Sequence, residues 1–241
     1  AVVCAAQGQV PNGTIANLTE KTVHSFAELT DKIRAWQGYS APLLRPALPP
    51  IVLRALSWIA DFTGHFGWKS PFRSTALRAL EEGITGDPTV WEGLGMPPCR
   101  ALEQTLREMP ATRQERLFAR AYLAIPLAIV TLSVFWIASG LVPFLNLEGT
   151  VDVLTSRDVS RGFALFTVVG GAIGDVTLGL AILWRRWTRR AALGMILLSC
   201  GYILGSVIFA PDLWLDPLGP MVKVLPGLTL ATLVALVVEE R

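Results

Sequence analysis

Asp175 is the residue best placed to do chemistry. It stands inside an apolar stretch, Gly162–Trp184 (GFALFTVVGGAIGDVTLGLAILW), about the length a helix needs to cross a bilayer. An ionised acid at mid-bilayer costs at least about 2.5–3.5 kcal/mol on insertion scales. Asp175 must therefore face the interior of a helix bundle, with a donor beside it or a proton on it. Its functional readings are a proton relay or a contact to a quinone headgroup. The structural alternative is an interhelix hydrogen bond to Tyr202 or Ser139. Further along, Asp216 and Lys223 can pair across a connection between apolar segments, or simply form a solvated charged loop.

Other reactive side chains point nowhere. Cys4, Cys99 and Cys200 are odd in number and far apart, which fits neither a disulfide framework nor a metal site. His24 and His65 are the only histidines and lack metal-ligand spacing, so no metal and no haem pair is expected. The net charge of +2, without a basic patch interleaved with aromatics, argues against nucleic acid. Lys69-Ser70 is too small a signal to define a phosphate site. No catalytic residue is assigned.

The elements that must position Asp175 are apolar spans. Lys, Arg, Asp and Glu number 23 in residues 1–117 and 17 in 118–241, where they cluster between long apolar runs. This pattern divides the chain into a soluble part, 1–116, and a membrane part, 117–241. Four spans are expected: Ala121–Leu145, Gly162–Trp184, Ala191–Phe209 and Met221–Val238. Gly170, Gly171, Gly174 and Gly179 on the second span allow close helix approach. Arg185, Arg186, Arg189 and Arg190 close that span, and positive residues are retained on the cytoplasmic side. Arg113, Arg116 and Arg120 precede the first span. Asp212 and Asp216 follow the third, and Glu239, Glu240 and Arg241 end the chain. Both termini are therefore expected in the cytoplasm, with Arg157 and Arg161 in the first outer connection as a mild conflict. Trp136, Trp184, Trp187 and Trp214 suit an interfacial belt, Trp136 also a deeper position.

The soluble part reads as a small, mostly helical cytoplasmic lobe with at least one short strand, Thr14–Leu18 after the Asn12-Gly13 turn. Ser25 and Glu28 form a capping box for a helix that ends near Gly38. A connection rich in proline (Pro42, Pro46, Pro49, Pro50) leads to a helix over Ile51–Phe62, with Ile51, Ala55, Ile59 and Phe62 on one face. Helices over Ser74–Glu82 and Arg100–Met109 follow. In Gly64–Phe72, Phe66, Trp68, Phe72 and Lys69 make either a membrane-surface patch or packing for the small domain. A single strand lacks a partner, so the lobe looks like part of a domain whose edge is covered by more chain or by another protein. The lack of an initiator Met fits a chain that begins inside a longer polypeptide or after processing.

Two resemblances add to this. Phe135-Trp136, Ser139-Gly140, Gly174-Asp175, Leu178-Gly179 and the run Trp214-Leu215-Asp216-Pro217-Leu218-Gly219-Pro220, with Lys223 and Pro226, resemble the DoxX-like family. That resemblance implies a small four-helix membrane protein, of which some relatives serve quinone-linked or other redox complexes. The lobe, through Gly67-Trp68-Lys69-Ser70-Pro71 and Gly86-Asp87-Pro88, resembles the C-terminal tail of an extended short-chain dehydrogenase/reductase, an NAD(P)-binding family. Its glycine-rich phosphate loop and Tyr-x-x-x-Lys pair are missing from this sequence. NAD(P) and quinone are thus implied only by resemblance, and no cofactor is expected in the chain itself.

Two functions follow. The first is an accessory or structural subunit of a larger, redox or energy-transducing membrane complex, in the lipid bilayer of a bacterial cytoplasmic membrane and beside other membrane subunits. The second is the membrane-anchored C-terminal part of an NAD(P)-dependent oxidoreductase whose dinucleotide-binding half precedes residue 1.

Overall fold

Ser25 starts the first long helix of the lobe as its side chain dictates. Its hydroxyl accepts from the Glu28 amide at 3.2 Å, and Glu28 returns the bond to the Ser25 amide at 2.9 Å. The structure, a computed structural model, describes residues 1–42, 48–217 and 219–238. Pro46 of the proline connection, Leu218 of the Trp-Leu-Asp-Pro-Leu-Gly-Pro run and the terminal charges Glu239, Glu240 and Arg241 lie outside the described residues. The helices are α1 (Val2–Ala6), α2 (Phe26–Trp36), α3 (Pro50–Gly64), α4 (Ser74–Glu82), α5 (Thr89–Gly93), α6 (Leu102–Glu108), α7 (Arg113–Leu145), α8 (Leu147–Thr155), α9 (Arg161–Ala181), α10 (Thr188–Phe209) and α11 (Val224–Val237). A 3-10 turn covers Pro211–Trp214.

The molecule is mainly helical, and no strand occurs among the described residues. The strand expected at Thr14–Leu18 is corrected: that segment has no regular secondary structure. A strand exists only with a ladder partner, and none of the described segments supplies one.

Residues 1–61 and 70–119 form one compact unit, and residues 62–69 and 120–241 form the other. Polar links spaced far along the chain hold the first together. Glu20 accepts from the Leu102 amide at the start of α6 at 2.8 Å, and Asp61 accepts from the Ser74 amide at the start of α4 at 3.3 Å. Lys32 on α2 pairs with Glu103 on α6, and the Trp36 indole donates to the Met109 carbonyl. Gly38 ends α2 at φ +79°, a conformation glycine adopts without strain.

In the second unit α7, α9 and α10 are long and apolar enough to cross a membrane. The fourth expected span is corrected in length. Met221–Lys223 form a turn, Lys223 is the N-cap, and α11 has 14 residues. At 1.5 Å per residue that is about 21 Å, against roughly 30 Å of hydrocarbon. α11 is nevertheless central to packing. Its Ala231, Val234 and Ala235 join Ile129, Leu132 and Trp136 of α7 and Ala191, Ala192 and Met195 of α10 in one buried core. Trp136 is buried in this core, at 4% exposure. α8, with Asn146 accepting from the Gly149 amide at 3.1 Å, was not expected.

Candidate functional site

Asp175 is carried on α9 and is buried. Two glycines decide how close its neighbours come. On α7, a Cβ at Gly140 would lie 2.5 Å from the Ala172 carbonyl oxygen, 2.7 Å from Val176 Cγ2 and 3.0 Å from Asp175 Cβ. α7 therefore rests directly on the backbone turn that presents the acid. On α9 itself, a Cβ at Gly171 would come within 2.9 Å of the Tyr202 hydroxyl. Its absence leaves room for Tyr202, on α10, to donate to Asp175 Oδ1 at 2.7 Å.

The same seam continues one turn on. A Cβ at Gly179 would meet Ile137 Cγ1 at 2.8 Å and the Ile137 amide nitrogen at 3.0 Å. There the Ser133 hydroxyl donates to the Gly179 carbonyl at 2.7 Å, away from water. Backbones this close gain dispersion and interhelical hydrogen bonds, which hold helices together in lipid. Gly174 faces Leu198 at 3.2 Å. Gly170 is the exception among the four expected packing glycines: a Cβ there meets nothing within 4 Å. It lies on a side of α9 away from the seam, as its position one residue before Gly171 requires.

Tyr202, rather than Ser139, is thus the partner of Asp175. Ser139 is half-buried on α7 beside Gly140, with no hydrogen bond to the acid. Asp175 makes no ion pair among the described residues. The arrangement offers one carboxyl and one phenol in contact between two helices. It can hold a proton, pass one along a polar path, or brace α9 against α10.

Asp216 and Lys223 do not form an ion pair among the described residues. On that face Arg157 forks onto Asp212, its Nε 2.9 Å from Oδ1, and Arg161 reaches Glu148 at 2.7 Å. Hydrogen bonds from Arg157 hold the Asp212 carboxyl below the usual carboxylate range. The two arginines that conflicted with the charge rule are thus each matched by an acid, through contacts 55 and 13 residues apart.

The arginine turn after α9 also gains a partner that sequence alone does not show. Arg185 donates its amide to the Phe66 carbonyl at 3.0 Å, and the Trp68 indole donates to the Leu183 carbonyl at 2.6 Å. The Arg185 guanidinium sits 5.4 Å from the centre of the Trp68 ring, and Phe66 meets Trp184 edge-on at 6.1 Å. Phe66 and Trp68 are therefore built into the membrane unit. Arg186, Arg189 and Arg190 stay exposed. In the lobe, Glu20, His24 and Glu103 converge within 4.8 Å, with Lys32 Nζ 3.2 Å from His24 Nδ1. The lysine supplies positive charge to that cluster, which joins segments some 80 residues apart.

Residues 133–232 match the DoxX-like family. The matched stretch begins at Ser133 of the helix seam and encloses Gly140, Asp175, Gly179 and Tyr202. With three helices of spanning length and composition, the match makes this an integral membrane protein. The match does not include residues 1–132, and the resemblance of the lobe to a short-chain dehydrogenase tail has no support from it. No curated protein and no solved structure matches the chain.

Proposed function

We propose that the chain is an accessory membrane subunit whose lobe offers an apolar surface to a larger assembly. The observation that carries this reading is the lobe's lack of a core. Among the described residues of its unit, Ala60 and Trp91 are the buried hydrophobic side chains. Ile15, Leu18, Val23, Phe26, Ile84 and Val90 are exposed, Ile15 at 91% and Ile84 at 83%. Each large aliphatic side chain left in water forgoes about 1.5–3 kcal/mol of burial. A water-facing unit of this size normally covers such residues, and a partner body supplies the cover here. In the membrane, α7, α9, α10 and the shorter α11 all cross, so that the arginine turn and both termini face the cytoplasm. Asp175 and Tyr202 serve as an interhelix brace or as part of a proton path coupled to the assembly.

Cysteine footprinting tests the docking. In a background lacking Cys4, Cys99 and Cys200, Ile15→Cys and Ile84→Cys should resist a membrane-permeant thiol reagent in native membranes. They should react quickly once the chain is purified alone. Equal rates in both settings would remove the partner. Topology is tested by exposed positions: Arg186→Cys should label from the cytoplasmic side and Leu215→Cys from the opposite one.

The second reading makes the covering body a dinucleotide-binding half of an NAD(P)-dependent oxidoreductase, and the lobe's sequence likeness favours it. On either reading residues 1–241 alone should not bind NADH or NADPH tightly, for want of a glycine-rich phosphate loop. A low-micromolar site in calorimetry would sink that expectation.

A further inference from the structure

The turn between α9 and α10 gathers positive charge without an acid to match it. Arg185, Arg186, Arg189 and Arg190 stand on residues 185–190. The fold brings Lys69 to the same place. A Cβ at Gly67, where φ is +86°, would stand 3.3 Å from Arg185 Cβ, and Lys69 follows two residues later, within about 7 Å of chain. The Trp68–Leu183 hydrogen bond that ties the two runs together spans 115 residues. Both runs belong to the membrane unit. The acids of that unit on Glu148, Asp152, Asp158, Asp212 and Asp216 lie on the connections at the opposite end of α9 and α10. Among the described residues, Lys69, Arg185, Arg186 and Arg190 make no ion pair.

Two of these cations are held in place. Arg185 is half-buried, its amide is fixed to the Phe66 carbonyl, and its guanidinium lies 5.4 Å from the centre of the Trp68 ring. The Arg190 guanidinium lies at the same distance, 5.4 Å, from the Trp187 ring. Stacking uses the flat face of a guanidinium and leaves the N–H groups around its edge. Among the described residues, the side-chain N–H groups of Arg185, Arg186 and Arg190 find no acceptor. A planar fork of free donors matches the oxygens of a phosphate. Trp184 and Trp187 are exposed at the end of an apolar helix, where tryptophan marks headgroup depth. Lipid phosphates lie at that depth.

We propose that the turn between α9 and α10 is a binding site for anionic phospholipid. Headgroup phosphates are received on the edges of Arg185 and Arg190, and Arg186 and Lys69 add positive charge. Lipid is favoured over an acidic protein surface because the tryptophans set the cluster among the headgroups, where basic residues attract anionic lipid. The stacked arginines make the site more than a count of charges, since each guanidinium is oriented before the lipid arrives. The site is built from the membrane unit alone, so it holds whatever covers the lobe.

The test is native mass spectrometry of the full chain, stripped of lipid in a mild non-ionic detergent and titrated with phosphatidylglycerol or phosphatidylcholine. Phosphatidylglycerol should bind about tenfold more tightly. Arg186→Gln, whose side chain makes no bond to a described residue, should keep the melting temperature and reduce that preference several-fold. Trp68→Leu keeps every charge but removes the ring beneath Arg185, and should also reduce it several-fold; Trp68→Phe, which keeps a ring, should reduce it less. The double variant Arg78→Gln/Arg113→Gln removes charge elsewhere and should leave the preference intact. Equal binding of the two lipids by the parent overturns the proposal, as does a preference that survives both Arg186→Gln and Trp68→Leu. A loss in the double variant as large as that in Arg186→Gln would reduce the effect to general attraction and also overturn it. Millimolar inorganic phosphate should not displace the lipid; displacement would make this a site for free phosphate and refute the lipid assignment.

Discussion

The two units expose hydrophobic side chains to a similar degree, yet the exposure means opposite things. Leu123, Leu127 and Leu197 on the long helices are exposed, as are Ile15 and Ile84 in the lobe. Lipid tails are as apolar as leucine, so the helices lose nothing by it and are held instead by close contact of small residues. In water the same surface costs about 25 cal/mol per Å². The lobe therefore relies on capped helix ends and long-range polar links, while the membrane unit relies on Gly140, Gly171, Gly179 and a shared core. Charged pairs are the lobe's fabric; in the membrane unit they sit at the rim.

The sharpest test of that contrast is at Gly140. Gly140→Leu drives side-chain atoms into the Ala172 carbonyl, with Val176 Cγ2 and Asp175 Cβ also within 3.0 Å of the new Cβ. It should lower stability by about 3 kcal/mol, read as loss of folded protein on heating in mild detergent. Gly170→Leu, facing open space, should leave the melting temperature unchanged. A matching loss at both positions would mean that the seam is not what holds α7 to α9.

Tyr202→Phe comes next. It strips the hydroxyl from a buried acid and should cost about 1–3 kcal/mol. Asp175→Asn keeps an acceptor for Tyr202 and should cost less. If the pair is only a brace, the asparagine variant keeps both assembly and the activity of the complex; if it carries protons, assembly survives and coupled turnover falls.

In the lobe, Ser25→Ala removes half of a reciprocal cap and should destabilise α2 by about 1 kcal/mol, seen as faster amide exchange over residues 26–30. The smallest effect is expected at the rim. Arg157→Gln should weaken the outer connection slightly, and added salt should hide the difference, because both partners are solvated. The sign with pH follows from Asp212, whose carboxyl is held low by Arg157. Its contribution is present above the ordinary aspartate range and is lost as pH falls through the lowered value. A rim whose thermal stability rises on acidification would contradict this pairing.

Sequence determined the parts of this protein that local physics controls. The Ser25–Glu28 cap, the end of α2 before Gly38, helix α4 and three long apolar helices all follow from residue spacing, because capping and periodicity act within a few residues. The isolation of Asp175 in an apolar run likewise required an internal partner, and narrowed it to two. Tertiary structure alone chose Tyr202 over Ser139, because that choice turns on which helix face lies beside Gly171. It separated Gly179 from Gly170, which look alike in sequence. It also gave Arg157 to Asp212 and Trp68 to Leu183, contacts across 55 and 115 residues that no local pattern encodes. The missing strand and the shortened fourth helix have the same origin: a strand needs another strand to pair with, and a turn at Met221–Lys223 ends an apolar run that composition alone would let continue.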